Sequence, residues 1–96
     1  MPKAYWISCY RAVKDETALK EYAKAAGPAL KSHGGRFLAR GTAARWYEAG
    51  LQQRVVIVEF ESLDAAVAAH ESREYQAALA ILGDAVERDL RFVEGV

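Results

Sequence analysis

The apolar positions of this chain repeat with two periods, one typical of β-strands and the other of α-helices. The clearest strand is Val55–Phe60, a nearly unbroken apolar run of strand length. Ala4–Tyr10 is rich in aromatic and β-favouring residues, and Arg36–Thr42 and Arg88–Val93 also have strand-like patterns. The pattern therefore predicts four strands.

An amphipathic helix is predicted between the first two strands, because apolar residues recur there at steps of three and four positions from Asp15 onward. The apolar stripe consists of Leu19, Tyr22, Ala23, Ala26 and Leu30. Gly27 and Pro28 interrupt this stripe, so we expect the regular helix to end near Ala26 and an irregular turn to follow it.

A second helical segment follows the third strand. Ser62 is placed to cap it, and Leu63, Val67 and His70 share one face at helical spacing. After a break near Ser72, helical spacing resumes before the fourth strand. The resulting order is strand, helix, strand, strand, helix, strand. It predicts an α+β, ferredoxin-like βαββαβ fold, with a four-stranded antiparallel sheet and both helices on one face.

Both faces of the predicted sheet are apolar, although helices would cover only one of them. On the third strand, Val55 and Ile57 point to one face and Val56 and Val58 to the other. At about 25 cal/mol per Å², an apolar sheet face left in water forgoes several kcal/mol of stabilisation. We therefore expect a homodimer in which two chains pack their open sheet faces together about a two-fold axis.

Composition narrows the class of protein. The 96 residues fit a single domain spanning 1–96, and thirteen basic residues balance thirteen acidic ones. A chain without net charge lacks the field that attracts nucleic acid or an anionic membrane, so we expect neither partner. No run approaches the roughly 20 apolar residues of a membrane span, and no signal-peptide core is visible. The lone Cys9 fits a reducing compartment, which predicts a cytoplasmic protein.

A double glycine precedes the second strand. Gly34 and Gly35 suit a sharp turn from helix into strand, since glycine adopts backbone angles that other residues resist. Beyond them, Arg36 and Arg40 lie an even number of residues apart, which predicts that both guanidiniums share one face of the strand. A slip of one residue in the pairing with the third strand would turn both to the other face, and the sequence leaves this register open.

Short strings in a particular order give the chain a family resemblance. They are Ala4–Ile7, Tyr22, Pro28, Gly34–Gly41, Glu59-Phe60, Ser72–Gln76 and Val93–Gly95. Together they resemble the domain of unknown function 1330 family, whose members have the dimeric α+β barrel fold. The second helix departs from the family pattern, because this chain has Ala69-His70 and Arg73 where members carry an aromatic pair and then a proline. The resemblance implies the fold and a dimer but no settled activity.

Three residues are candidates for catalysis. Arg40 is directed either into a cavity between sheet and helices, where it would hold a carboxylate or enolate oxygen, or into an ion pair with Glu59 or Glu48. His33, beside the glycines, is either a general base or only a turn residue. Glu59 follows four apolar residues and needs a partner, which Arg36, Arg40 or another subunit would supply; unpaired, it would be a proton-transfer group.

Tyr22, Arg40 and His70 are the candidates for ligand binding. Tyr22 lies in the apolar stripe, where its hydroxyl either finds one packing partner or donates to a ligand. His70 is a core or pocket-lining residue, a proton acceptor or an axial haem ligand. Candidates for an aromatic cavity lining are Trp6, Trp46, Tyr47 and Tyr75, with dimer packing as the alternative for Trp6.

Other chemistries are disfavoured. Cys9, His33 and His70 lack metal-ligand spacing, and the glycines form no phosphate-binding motif, so we expect no metal and no cofactor. The apolar strand around Cys9 argues against an exposed, reactive thiol.

We predict a homodimer that binds a small organic molecule between the sheet and helices of each subunit. Families of the architecture that the resemblance implies include cofactor-independent monooxygenases, muconolactone isomerase-like enzymes and haem-handling proteins. This chain would act either as such a monooxygenase or isomerase, or as a non-catalytic ligand-binding or stress-related accessory protein. Haem binding is a third alternative.

Overall fold

The computed structural model describes residues 2–96 and forms one antiparallel sheet covered by helices. The strands are β1 (Ala4–Val13), β2 (Arg36–Thr42), β3 (Arg54–Phe60) and β4 (Val86–Glu94), in the spatial order β2-β3-β1-β4. The helices are α1 (Glu16–Ser32), α2 (Leu63–His70) and α3 (Arg73–Leu82). The predicted ferredoxin-like fold is confirmed, with the second helical segment divided into two helices at the Ser72 cap.

The sheet has one covered and one open face. On β1, Trp6 and Tyr10 are buried beneath the helices, whereas Ile7 is partly exposed and Cys9 exposed on the other face. The covered face packs against apolar residues of all three helices, among them Leu19, Leu30, Ala66, Ala78 and Leu82. The expectation that the strand shields the Cys9 thiol is wrong, because Cys9 lies on the face that the helices leave open.

Helix α1 continues through Pro28 to Ser32, so the prediction that it ends near Ala26 is wrong. Proline removes one backbone hydrogen bond, and its ring also clashes with the residue before it. That residue is Gly27, which has no Cβ and therefore avoids part of the clash. Ala26 and Leu30, on either side of the interruption, are both buried, so packing of the apolar stripe holds the helix together.

A β-bulge in β2 separates the two arginines that alternation places on one face. The register shift follows Phe37 and leaves Leu38 as the extra residue. Arg36 consequently pairs with a residue of the open face, whereas Arg40 pairs with Val56, which is buried beneath the helices. The prediction that both guanidiniums share a face is wrong, and Arg40 lies on the helix side.

The double glycine forms the predicted turn between α1 and β2. Gly34 has a φ of 87°, in the left-handed region that favours glycine. A Cβ on Gly35 would lie 2.7 Å from the Leu30 carbonyl oxygen and 3.0 Å from the Phe60 ring. This close approach of the turn to the core positions β2 beside α1.

Within residues 2–96, no helix has the length and apolar character that crossing a bilayer requires.

Candidate functional site

A small cavity lies between the sheet and α1. Its volume is about 30 Å³. Pockets for drug-sized ligands span about 300–1,000 Å³, whereas this cavity has room for only about two water molecules. Its apolar walls include Trp6, Ala26, Leu30 and Phe37. Its polar lining consists of Ser8, Tyr10, Tyr22, Arg40, Arg54 and Arg88.

Arg88 is the centre of the polar lining. Arg88 is a residue of β4 and lies opposite Tyr10 of β1. Its side chain is half-buried on the helix side of the sheet. Its Nη1 donates to the Tyr22 hydroxyl at 3.2 Å, and its Nη2 donates to the Tyr75 hydroxyl at 2.8 Å. Longer contacts join Nη1 to the hydroxyls of Ser8 at 3.4 Å and Tyr10 at 3.5 Å. We call these five residues the Arg88 cluster.

The tyrosines of the Arg88 cluster are coupled to each other. The hydroxyls of Tyr22 and Tyr75 lie 2.7 Å apart and share a hydrogen bond. Burial raises the pKa of Tyr22 far above its usual range, and the opposing charge of Arg88 offsets only part of that rise. Tyr22 is therefore a neutral hydroxyl at physiological pH, able to donate a hydrogen bond but not to act as a base.

Arg54 approaches the cavity from β3. Its guanidinium carbon lies 5.9 Å from the centroid of the Tyr10 ring. Its Nε is buried and has no hydrogen-bond partner within residues 2–96. A buried N–H without an acceptor is costly, so this atom is a donor left unused by the protein.

Arg40 lines the cavity at its exposed edge. Its guanidinium carbon lies 4.9 Å from the centroid of the Phe37 ring, a cation–π geometry. The alternative of an ion pair with Glu48 or Glu59 is wrong, since no salt bridge in the described part of the chain includes Arg40. The bulge in β2 accounts for this result, because it turns Arg40 away from the face that carries Glu59.

The other two catalytic candidates lie outside the cavity. Glu59 is on the open face, where it accepts a hydrogen bond from the Tyr5 hydroxyl at 3.2 Å and one from Lys3 Nζ at 3.5 Å. The prediction that an arginine of β2 pairs with it is therefore wrong. His33 Nε2 lies 3.0 Å from a carboxylate oxygen of Glu74, a contact between the end of α1 and the start of α3. The structure thus separates the three candidates.

His70 lies among aromatic rings rather than in the cavity. Its ring centroid is 5.2 Å from that of Tyr75, 5.5 Å from that of Trp6 and 6.1 Å from that of Phe92. Burial lowers the pKa of His70, and the charge of Arg88 lowers it further. His70 also lines an open groove of about 320 Å³ with Val67 and Phe92.

The four aromatic candidates do not form one cavity. Trp6 and Tyr75 meet edge to face in the core with ring centroids 4.9 Å apart, and both are buried. Trp46 and Tyr47 are exposed in the connection between β2 and β3. Dimer packing through Trp6 is wrong as well, because its side chain lies on the covered face.

Arg88, the central residue of the site, is not among the candidates that the sequence pattern indicates. A signal for it exists in the alternation of β4, where Arg88, Leu90 and Phe92 occupy the same face. A charged residue in an otherwise apolar series is a buried polar group that needs partners. Those partners come from β1, α1 and α3, which are far apart in sequence.

The sequence matches the model of one protein family over nearly its whole length. The model of the family described as "Domain of unknown function (DUF1330)" matches residues 3–96. The chain belongs to the DUF1330 family. No curated protein matches this sequence.

Solved structures similar to this DUF1330 chain share its fold. A protein of unknown function from Rhodopseudomonas palustris has a TM-score of 0.76 at 18% identity, covering 99% of this chain and 83% of that one. A dimeric ferredoxin-like protein of unknown function from Thermobifida fusca has a TM-score of 0.67 at 17% identity, with coverages of 97% and 91%. SnoaB from Streptomyces nogalater, a cofactor-independent oxygenase, has a TM-score of 0.64 at 8% identity, with coverages of 100% and 95%.

Proposed function

We propose that this DUF1330 protein is a homodimer that binds a small organic molecule in the cavity beneath α1 of each subunit. The observation that carries the proposal is the Arg88 cluster, which brings a guanidinium and the hydroxyls of Ser8, Tyr10 and Tyr22 to the lining of a cavity with apolar walls. Apolar walls with a few convergent polar groups are the usual composition of a small-molecule site.

Entry of an organic ligand requires the cavity to widen. The exposed edge carries Arg40 and Phe37, which are held by a cation–π contact rather than by an ion pair. Such a contact at an exposed site is worth about 0.5–1 kcal/mol, so displacing it costs little. We therefore place the entrance between β2 and α1, with Arg40 at its rim.

Binding fits the site better than acid–base catalysis by the protein. His33 and Glu59 lie outside the cavity, and Tyr22 remains protonated at physiological pH. A general base has to lie within hydrogen-bond reach of the proton it removes. On these grounds we propose that the protein binds a ligand without transforming it, as a ligand-binding or accessory protein would.

A second candidate function is stabilisation of an oxyanion on the same ligand. Arg88 and the hydroxyl of Tyr22 would face an oxygen placed beside them in the cavity, and such donors stabilise an enolate. In an enolisable ketone the C–H bond beside the carbonyl would break and its proton would pass to a water molecule. The electron pair of that bond would form the C=C bond, and the π pair of the carbonyl would move onto the oxygen. Deuterium exchange at the carbon beside the carbonyl tests this activity.

Filling the cavity tests the binding proposal. Ala23 lines the cavity from α1, and Ala23→Leu adds an apolar side chain to it. Ala77→Leu is the matched control, because Ala77 is exposed on α3. We expect small aromatic acids, phenols and furanones, screened by thermal shift and amide NMR, to give hits that Ala23→Leu abolishes and Ala77→Leu retains. Hits that survive Ala23→Leu would place binding elsewhere and contradict the proposal.

A further inference from the structure

The polar lining of the cavity is entirely basic or hydroxylic. Arg40, Arg54 and Arg88 contribute to it, and no Asp or Glu among residues 2–96 does. Buried charges in proteins are normally paired with an opposite charge. The Arg88 guanidinium instead has hydroxyl oxygens as its partners within the described chain. These neutralise none of its charge.

Most hydroxyl protons of the Arg88 cluster have no acceptor. Nη1 of Arg88 shares its two protons among the oxygens of Ser8, Tyr10 and Tyr22, Nη2 donates to Tyr75, and each of the four hydroxyls also carries a proton to donate. One proton is used between Tyr22 and Tyr75. The other three have no acceptor among the hydrogen bonds of residues 2–96. The cluster therefore lacks an acceptor group.

Arg54 adds an independent donor to the same cavity. Its buried Nε–H has no partner in the part of the chain that the structure describes. Arg54 belongs to β3 and Arg88 to β4, with β1 between them, so Tyr10 and Ser8 on β1 lie between the two guanidiniums. An acceptor placed over β1 would face donors from both sides.

We propose that the ligand of this cavity carries a carboxylate, bound over β1 between Arg88 and Arg54, with its organic part against Trp6 and α1. This inference rests on the proposed function and adds the chemical class of the ligand. A carboxylate has two oxygens, each able to accept two hydrogen bonds, and guanidinium groups bind it with matching geometry. It supplies the missing charge and the missing acceptors together. The apolar walls select an organic acid over an inorganic anion.

Matched acids and amides test the class of ligand. Acetate and benzoate are titrated against acetamide and benzamide at pH 7, with inorganic phosphate as a third arm, and binding is followed by amide and arginine Nε–H NMR. We expect both acids to bind, to shift the Arg54 Nε–H resonance and to bind at least about tenfold more tightly than their amides, the scale of one charge-assisted hydrogen bond.

Two arginine variants localise the effect. Arg88→Met should weaken benzoate binding about tenfold or more and leave benzamide nearly unchanged. Arg73→Met is the matched control, because Arg73 is exposed on α3, away from the cavity and from the open sheet face. The Arg54 resonance is read in the unaltered protein, so the test stands even if Arg88→Met does not fold.

The outcomes separate this inference from the proposed function. If acid and amide bind equally tightly at the cavity, the inference that the ligand carries a carboxylate is wrong, whereas the proposed ligand-binding cavity stands. Phosphate binding as tightly as benzoate would overturn the organic acid in favour of a simple anion. If none of the probes shifts cavity resonances, and the broader screen gives no hit that Ala23→Leu abolishes, both the inference and the proposed function fail.

Discussion

At the scale of single residues, the unusual choice in this protein is Arg88, a half-buried cation surrounded by hydroxyls. Hydroxyls satisfy N–H donors but leave the charge uncompensated, so the arrangement is weaker as a structural device than an ion pair with a carboxylate. It is better suited to a site that receives its anion from outside. The tyrosines also place aromatic rings near the guanidinium, with Arg88 5.3 Å from the centroid of the Tyr22 ring.

Tyr75→Phe tests the contribution of the shortest hydrogen bond that Arg88 donates in the Arg88 cluster, and it also removes the bond between Tyr75 and Tyr22. Tyr75 is fully buried, and its hydroxyl accepts from Arg88 at 2.8 Å. Phenylalanine retains the ring that packs on Trp6 but leaves the guanidinium proton without an acceptor, so we expect a loss of about 1–3 kcal/mol in the free energy of unfolding. Urea denaturation measures it.

Tyr47→Phe is the control for this change, because Tyr47 is 71% exposed. Its unfolding free energy should stay within about 0.5 kcal/mol of the parent value. Equal stability of the Tyr75→Phe variant and the parent would show that the hydroxyl contributes nothing to the fold.

His70 should titrate below its ordinary value of 6.5, because burial and then the charge of Arg88 both lower its pKa. The negative charge of Glu71 acts in the opposite direction and raises the pKa of His70. The other neighbours of the imidazole are the rings of Trp6, Tyr75 and Phe92. The unfolded chain then binds more protons than the native one. The stabilisation that the native state gains by keeping His70 neutral is therefore complete above pH 6.5, and it is lost as the pH falls through the lowered pKa.

Imidazole NMR titration measures this pKa, with His33→Gln to assign the resonance. Arg88→Met should raise the midpoint, although it should remain below 6.5 because burial is the larger cause. A midpoint at or above 6.5 in the parent protein would contradict the assignment of His70 to a half-buried position beside Arg88.

At the scale of elements, the structure differs from the sequence pattern where a neighbour changes the local preference. Pro28 does not end α1, since Gly27 lessens its clash and the buried stripe continues on both sides.

Pro28→Ala should stabilise the protein. A proline in a helix interior costs about 3 kcal/mol, and the proline's restriction of the unfolded chain returns about 0.4–1 kcal/mol. We expect a net gain of about 2–2.5 kcal/mol in urea unfolding, which no change or a loss would contradict.

Local pattern was sufficient for the fold, because strand and helix periods, the Ser62 cap and the Gly34 turn all act within a few residues. It was insufficient for the site. The bulge at Leu38 depends on the pairing of β2 with β3, and it reversed the face of Arg36 relative to Arg40. The apolar stripe of α1 indicates Tyr22, but its partners Arg88 and Tyr75 come from other elements. Long-range pairing, absent from local periodicity, decides which side chains meet.

At the scale of the whole molecule, the open sheet face is the surface that needs an explanation. Ile57 lies at its centre, with Ile7 opposite it on β1 and Ala39 opposite it on β2. Val93, also apolar and on this face, is 50% exposed. Charged groups on the same face are held in local pairs such as Asp89 with Arg91. A second copy of the chain would cover this apolar centre.

Ile57→Lys tests the proposed dimer at that centre. In a two-fold arrangement the two lysines would face the same apolar contact from both chains, where an unpaired charge is costly and like charges repel. Light scattering at micromolar concentration should give twice the 10.6 kDa chain mass for the parent and a single chain mass for the variant. Ala80→Lys, an exposed position on α3, should remain dimeric. If the parent itself scatters as a single chain, the open face is not a dimer interface, and its apolar centre must be covered by something else.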